Sequence, residues 1–229
     1  MGVLTGEVGS GKSTLIRQLV DSLDTMRFSV SYLCQADMKP RDFYESMLRH
    51  LGEEVPFGVT KAKRRFQERL AQVARDKELV VIIDEAQDVT PAMLLELRYI
   101  LNSSMDARSL LSLILVGQPE LRITLRKNRY DAIAQRVSLQ YHLNGFNEEE
   151  TSSYIRHQME IAQRTTPLFA TGAIRQIYAS TRGIPRMINH ICTLALFDAE
   201  RTQTDIVEES QIGRILADMA RQRGVQGIG

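Results

Sequence analysis

Eight residues, Gly6-Glu7-Val8-Gly9-Ser10-Gly11-Lys12-Ser13, constrain this chain more than any other stretch. They satisfy the spacing GxxxxGK[ST] in full, with Thr14 directly behind, an apolar strand candidate at Gly2–Thr5 ahead, and a helical pattern running to about Met26. Strand, glycine loop and helix in that order form a phosphate cradle. Glycines let the backbone wrap so that its N–H groups point at phosphate oxygens, and the start of the following helix adds positive potential. Gly6, Glu7, Val8, Gly9, Ser10, Gly11, Lys12, Ser13 and Thr14 are therefore the candidate nucleotide-binding residues. Lys12 is expected to reach the β- and γ-phosphates, and the Ser13 hydroxyl to ligate Mg²⁺.

A second stretch supplies the acidic half of such a site. Leu79–Asp84 (LVVIID) is a continuous, largely β-branched run, the pattern of a strand buried on both faces, and it ends in Asp84-Glu85. Asp84 is expected to hold Mg²⁺, directly or through water, and Glu85 to act as general base on the attacking water. Two carboxylates at a strand end can also be a plain solvated edge, but a phosphate loop upstream favours the chemical reading. The second carboxylate favours a hydrolase over a kinase, which needs a phosphoacceptor site instead.

Around these motifs, short apolar runs alternate with longer helical patterns. Strands are expected at Gly2–Thr5, Ser29–Cys34, Leu79–Asp84, Leu111–Gly117 and Val137–Leu143. Helices are expected at Arg41–Leu51 and Lys61–Arg75, and from Pro91, with Thr90 as cap. The alternation predicts an α/β fold, a parallel five-stranded sheet with helices on both faces. After Gly145 the strand signals stop. Asn147 caps a helix with Glu148, Glu149 and Glu150 in its first turn, and patterns at Thr171–Thr181, Ile184–Glu200 and Val207–Arg221 follow. The expected organisation is a P-loop α/β domain at 1–145, a small all-helical domain at 146–222 and a tail at 223–229.

Composition removes several classes of function. A net charge of +1 over 229 residues gives no global field toward nucleic acid or anionic lipid. The two cysteines, Cys34 and Cys192, form no CxxC pair and read as reduced core thiols. The four histidines show no metal-ligand spacing. No apolar run approaches the ~20 residues of a membrane span, and the start lacks a secretory leader pattern, so the expectation is a soluble, cytoplasmic protein without a membrane partner.

Several motifs in order, "LTGEVGSGKST", "VVIIDEAQDVTPAMLLELRYILN", "LSLILVGQPELR", "AIAQRVSLQYHLNGFNEEETSSYIRHQM" and "GIPRMINHICTLAL", resemble those of AAA+ ATPases of the ExeA/GspA and TniB/TnsC-like group. The resemblance covers about residues 3–220. It implies Mg-dependent ATP hydrolysis and a helical lid after the sheet. It also implies a sensor role for Gln118 near the γ-phosphate, an arginine finger at Arg136 reaching a neighbouring subunit's nucleotide, and a second sensor at Arg186. Each has a bland alternative: a polar residue opening a turn for Gln118, and ordinary helix-end arginines for Arg136 and Arg186. Arg136 as a finger implies a homo-oligomer with nucleotide at the subunit interface. Family members usually carry a longer segment before the glycine loop, where this chain has only Gly2–Thr5, which leaves base selectivity open.

Two branches share these motifs. One comprises compact ATPases that assemble on duplex DNA with ATP and recruit a transposase, and the chain's stand-alone length favours it. The other serves secretion machinery. A nucleotide-binding module without turnover, acting as a partner-binding domain, is a further alternative. For DNA, the best local candidate is the basic cluster Lys61-Ala62-Lys63-Arg64-Arg65 with Arg69, against a solvated helix face as the alternative. Lys39/Arg41 and Arg126/Lys127/Arg129 are weaker candidates, for which a subunit interface accounts equally well.

Overall fold

The computed structural model describes residues 1–101, 110–164 and 166–225. The chain divides into two compact units: Met1–Val8 with Lys12–Leu143, and Gly9–Gly11 with the chain from Asn144 onward.

In the first unit β1 (Gly2–Gly6) leads into the glycine loop and α1 (Lys12–Ser22). Then follow β2 (Phe28–Cys34), α2 (Pro40–His50), α3 (Val59–Val73), β3 (Glu78–Asp84), a 3₁₀ turn at Ala86–Asp88, and α4 (Pro91–Leu101). β4 (Leu111–Gly117), α5 (Pro119–Leu125), a 3₁₀ turn at Asn128–Tyr130, α6 (Asp131–Ala134) and β5 (Leu139–Leu143) complete it. All strand pairings are parallel, in the order β2-β3-β4-β1-β5. Every described strand therefore ends at the same edge of the sheet. β4 lies between the two motif-bearing strands, pairing Thr5 with Gly117 on one side and Ile83 with Leu115 on the other.

The two faces differ in their cover. Leu79, Val81 and Ile83 pack with Phe43, Phe66 and Leu97 in the large core beneath α2 to α6. Val80 and Ile82 join Leu4, Val116 and Ile16 of α1 in a smaller core on the opposite face. Leu79 to Ile83 are all buried, each contributing roughly 1.5–3 kcal/mol relative to exposure. Thr90 accepts a hydrogen bond from the Met93 N–H (3.2 Å) and donates to the Met38 carbonyl (2.7 Å), so it both starts α4 and ties it to the preceding loop.

The second unit contains α7 (Glu148–Ile161), α8 (Thr171–Thr181), α9 (Pro185–Thr202) and α10 (Glu209–Val225) around Ile155, Ile177, Ile188, Ile191 and Ile212. Asn147 and Glu150 form a reciprocal capping box at the start of α7, with both bonds at 2.8 Å. The glycines act by close approach. Gly183 has φ +73°, and a Cβ there would stand 1.9 Å from the Phe146 carbonyl oxygen. A Cβ on Gly145 would lie 2.2 Å from the Arg182 carbonyl. α10 continues through Val225, past the end expected at Arg221, and the remainder of the expected tail lies outside the described residues. Among the described residues no helix is long and apolar enough to cross a membrane.

Cys34 is exposed rather than a core thiol, while Cys192 is partly buried. β2 is an edge strand, buried at Ser31 and Leu33 but open at Tyr32 and Cys34. The apolar neighbours in the sequence belong to the other face.

Candidate nucleotide-binding site

The glycine loop leaves the sheet at the end of β1. Gly9 and Gly11 have φ of +82° and +101°, values that side chains other than glycine rarely adopt. Lys12 is 7% exposed, and its Nζ donates to the carbonyls of Gly6 (2.8 Å) and Glu7 (3.0 Å). No carboxylate among the described residues lies within ion-pair distance of it. A buried ammonium with two carbonyls and no counter-charge is costly, and it fits an anionic ligand. Ser10 Oγ is buried with no hydrogen-bond partner among the described residues, an orphaned donor within the glycine loop. Ser13 and Thr14, in the first turn of α1, are exposed. The residues present fit a phosphate group.

The acidic pair stands at the end of β3. Asp84 follows the parity of Val80 and Ile82, so it projects on the face that α1 covers, and α1 begins with Lys12 and Ser13. It is 5% exposed. Its Oδ1 accepts from the Glu85 N–H (2.8 Å), and its Oδ2 accepts from the Tyr32 hydroxyl. Tyr32 and Asp84 meet because β2 and β3 pair Tyr32 with Ile82 and Cys34 with Asp84, on one face. Burial, then the hydrogen bond to Asp84 and the nearby negative charge, hold the Tyr32 phenol above its ordinary range. Burial and the charges of Asp84 and Glu85 likewise push the Cys34 thiol up. Glu85 adopts a left-handed conformation, φ +50°. For a non-glycine residue this conformation costs of order 1 kcal/mol or more, and such strain concentrates at functional sites.

Gln87 was not singled out by the sequence. Its Nε2 donates to Glu85 Oε2 (2.8 Å) and Asp88 Oδ2 (3.0 Å), and its Oε1 accepts from the Gln118 N–H (3.0 Å). Gln118 directly follows β4, and its half-buried side-chain amide makes no hydrogen bond among the described residues. Gln87 lies within the 3₁₀ turn Ala86–Asp88, two positions beyond Glu85, and its partners depend on strand order, which no local sequence pattern displays.

The sheet thus brings Lys12, Asp84, Glu85 and Gln118 to one edge. It does not bring Arg136 there. Arg136 follows α6, three residues before β5 begins, at the opposite end of the strands, and its Nη1 donates to the Ala132 carbonyl (2.8 Å). Arg186 occupies the second helical position of α9, behind Pro185. Its N–H donates to the carbonyl of Gly9, which belongs to the same unit (3.3 Å).

The basic cluster on α3 is largely paired. Lys63 meets Glu96 (2.6 Å), Arg64 meets Glu68 (3.4 Å), and Arg65 and Arg69 both meet Glu53 (2.6 and 3.2 Å). This is an internal ion-pair network, with Lys61 making no ion pair among the described residues. No group of three or more His, Cys, Asp or Glu among the described residues is arranged to hold a metal ion by protein ligands alone.

A parallel five-stranded sheet with a glycine loop after one strand and an acidic pair after another defines a P-loop AAA+ α/β fold. An AAA domain family model matches residues 1–125, and the chain belongs to that family. It is 33% identical over 202 residues to the general secretion pathway protein A of Aeromonas hydrophila, an alignment covering 86% of this chain and 36% of that protein. The chain thus spans about a third of the length of this curated relative. Among solved structures it resembles Cdc6p from Pyrobaculum aerophilum, with TM-score 0.64, 14% identity, and coverage of 90% of this chain and 57% of that one. It also resembles the Aeropyrum pernix ORC1 protein in complex with DNA, with TM-score 0.64, 16% identity, and coverage of 97% and 60%. The Thermotoga maritima RuvB Holliday junction branch migration motor gives TM-score 0.55, 17% identity, and coverage of 93% and 60%. At these identities the structural likenesses show the fold alone.

Proposed function

We propose that this chain binds ATP with Mg²⁺ and hydrolyses it, as the ATPase segment of an ExeA/GspA-type protein of secretion machinery. The observation that carries the reading is the buried ammonium of Lys12, without a carboxylate partner among the described residues, at the same sheet edge as Asp84 and Glu85, with Asp84 on the α1 face. ATP is the substrate. The Ser13 hydroxyl and the Asp84 carboxylate would hold Mg²⁺, which would supply positive charge against the phosphates. Lys12 turns its ammonium from the Gly6 and Glu7 carbonyls to the β- and γ-phosphate oxygens. The N–H groups of the loop and of the first turn of α1 grip the remaining oxygens. Glu85 accepts a proton from the attacking water, and the Gln118 amide orients that water or the γ-phosphate. Arg186 is proposed to act as the second sensor. Arg136, placed away from its own chain's loop, serves a neighbouring copy, so the active form is a homo-oligomer.

The secretion assignment rests on the 33% identity to the Aeromonas protein. Assembly on duplex DNA with a transposase as partner is the alternative within the group. The relative that matches stands on the secretion side, and the ion pairs along α3 leave little free charge for phosphates. Phosphate release by the purified chain tests the enzymatic reading. Turnover is expected with Mg²⁺, and its loss with chelator or with Lys12→Ala. Sedimentation with a non-hydrolysable ATP analogue, with and without duplex DNA, tests the alternative. Assembly that requires both ligands would favour the DNA branch.

A further inference from the structure

We infer that Gln87 is a positioning residue for the base, tying the Glu85 carboxylate to the end of β4 so that Glu85 and Gln118 are held as one unit. The inference deepens the hydrolytic reading above and rests on it. Gln87 uses both ends of its amide. Nε2 donates to Glu85 Oε2 at 2.8 Å, and Oε1 accepts from the Gln118 N–H at 3.0 Å. Its second Nε2 bond, to Asp88 at 3.0 Å, fixes which end of the amide faces the carboxylates. The neighbouring strand is shaped to admit it. A Cβ on Gly117 would stand 2.7 Å from Gln87 Oε1 and 3.4 Å from the Gln87 backbone nitrogen. Any other residue at the end of β4 would displace the amide.

The tie matters because of the backbone it restrains. Glu85 is left-handed, and its N–H and carbonyl are already committed, to Asp84 Oδ1 at 2.8 Å and to the Asp88 N–H at 2.9 Å. The Gln87 amide donates to one of the two carboxylate oxygens of Glu85 and leaves Oε1 for a water. Displacing a reacting group by about 1 Å costs on the order of 100-fold in rate, and Gln87 is the side chain that opposes such a displacement here.

Two variants separate positioning from packing. Gln87→Glu keeps an acceptor for the Gln118 N–H but turns a negative charge on Glu85. Gln87→Met keeps the length and removes all three side-chain bonds. For each, nucleotide affinity is expected within about threefold of the wild type, while kcat falls about 10- to 100-fold. In a Glu85→Gln background neither change lowers kcat further, since the group being positioned is already gone. Two results would overturn the inference while leaving the hydrolytic reading intact. One is that both variants turn over within twofold of the wild type. The other is that affinity, kcat and Tm fall together, and fall again on top of Glu85→Gln. A wild type without turnover, indistinguishable from Glu85→Gln, would instead overturn the hydrolytic reading, and this inference with it.

Discussion

The Tyr32 hydroxyl donates to Oδ2 of Asp84, while the Glu85 N–H holds Oδ1 at 2.8 Å, so both oxygens of the proposed metal-binding carboxylate are engaged by protein donors. A metal ion entering this site competes with a phenol for one of them. Tyr32→Phe removes that competitor, and the Mg²⁺ concentration for half-maximal activity is expected to fall several-fold. Tyr32 is half exposed, so the stability loss is about 1 kcal/mol. A Mg²⁺ titration of the variant checks this, and an unchanged or higher requirement would contradict it.

Lys12→Ala separates stability from binding. The wild-type ammonium is buried without a carboxylate among the described residues, so its removal is expected to leave Tm without nucleotide unchanged or slightly higher. The rise in Tm that saturating Mg-ATP gives the wild type is expected to vanish. Thermal melts with and without nucleotide read both effects.

Gly183→Ala is a test of the second unit. The position combines φ +73° with a close backbone crossing, where the new Cβ would meet the Phe146 carbonyl at 1.9 Å. The expected loss is several kcal/mol, more than the ~1 kcal/mol of an ordinary helix-end glycine change. Denaturant unfolding of this unit measures it.

Asp198 gives a pH-dependent contribution to the same unit. Its hydrogen bond from Arg201, with Gln211 and Arg214 nearby, holds its carboxyl below the ordinary range against a smaller opposing effect of burial. A depressed carboxyl pKa stabilises the fold above the unfolded-state value and ceases to do so as pH falls through the folded-state value. Asp198→Asn is therefore expected to be less stable than the wild type at pH 7, with the difference shrinking at an acidic pH where the carboxyl protonates. Urea unfolding at the two pH values decides it.

The legible parts of this molecule were those encoded locally. The glycine loop, the buried run before Asp84, the Thr90-Pro91 helix start and the Asn147/Glu150 capping box each lie within a few residues of one another. α5, α6 and the two 3₁₀ turns were not anticipated, because segments of three to seven residues carry too little periodicity to stand out from loop. The Tyr32–Asp84 and Gln87–Gln118 bonds join residues 52 and 31 positions apart. They exist only because β2 and β4 flank β3. Cys34 misled for the same reason: its neighbours are apolar, but an edge strand buries alternate residues only. The cluster Lys61 to Arg65 looked free in sequence, yet its partners Glu53 and Glu96 come from segments on either side of α3. Chain length pointed to the transposition branch, whereas the secretion-pathway relative carries a matching segment over only 36% of its length. Length therefore does not distinguish the branches.

The central claim is that Lys12 and Glu85 belong to one site with separable duties, grip and chemistry. Nucleotide binding and turnover measured on the same preparation of wild type and Glu85→Gln test it most directly. The account predicts that both bind Mg-ATP with similar affinity, and that only the wild type releases phosphate, with kcat in the variant lower by at least about 100-fold. Equal turnover in the two proteins, or no nucleotide binding by either, would contradict it.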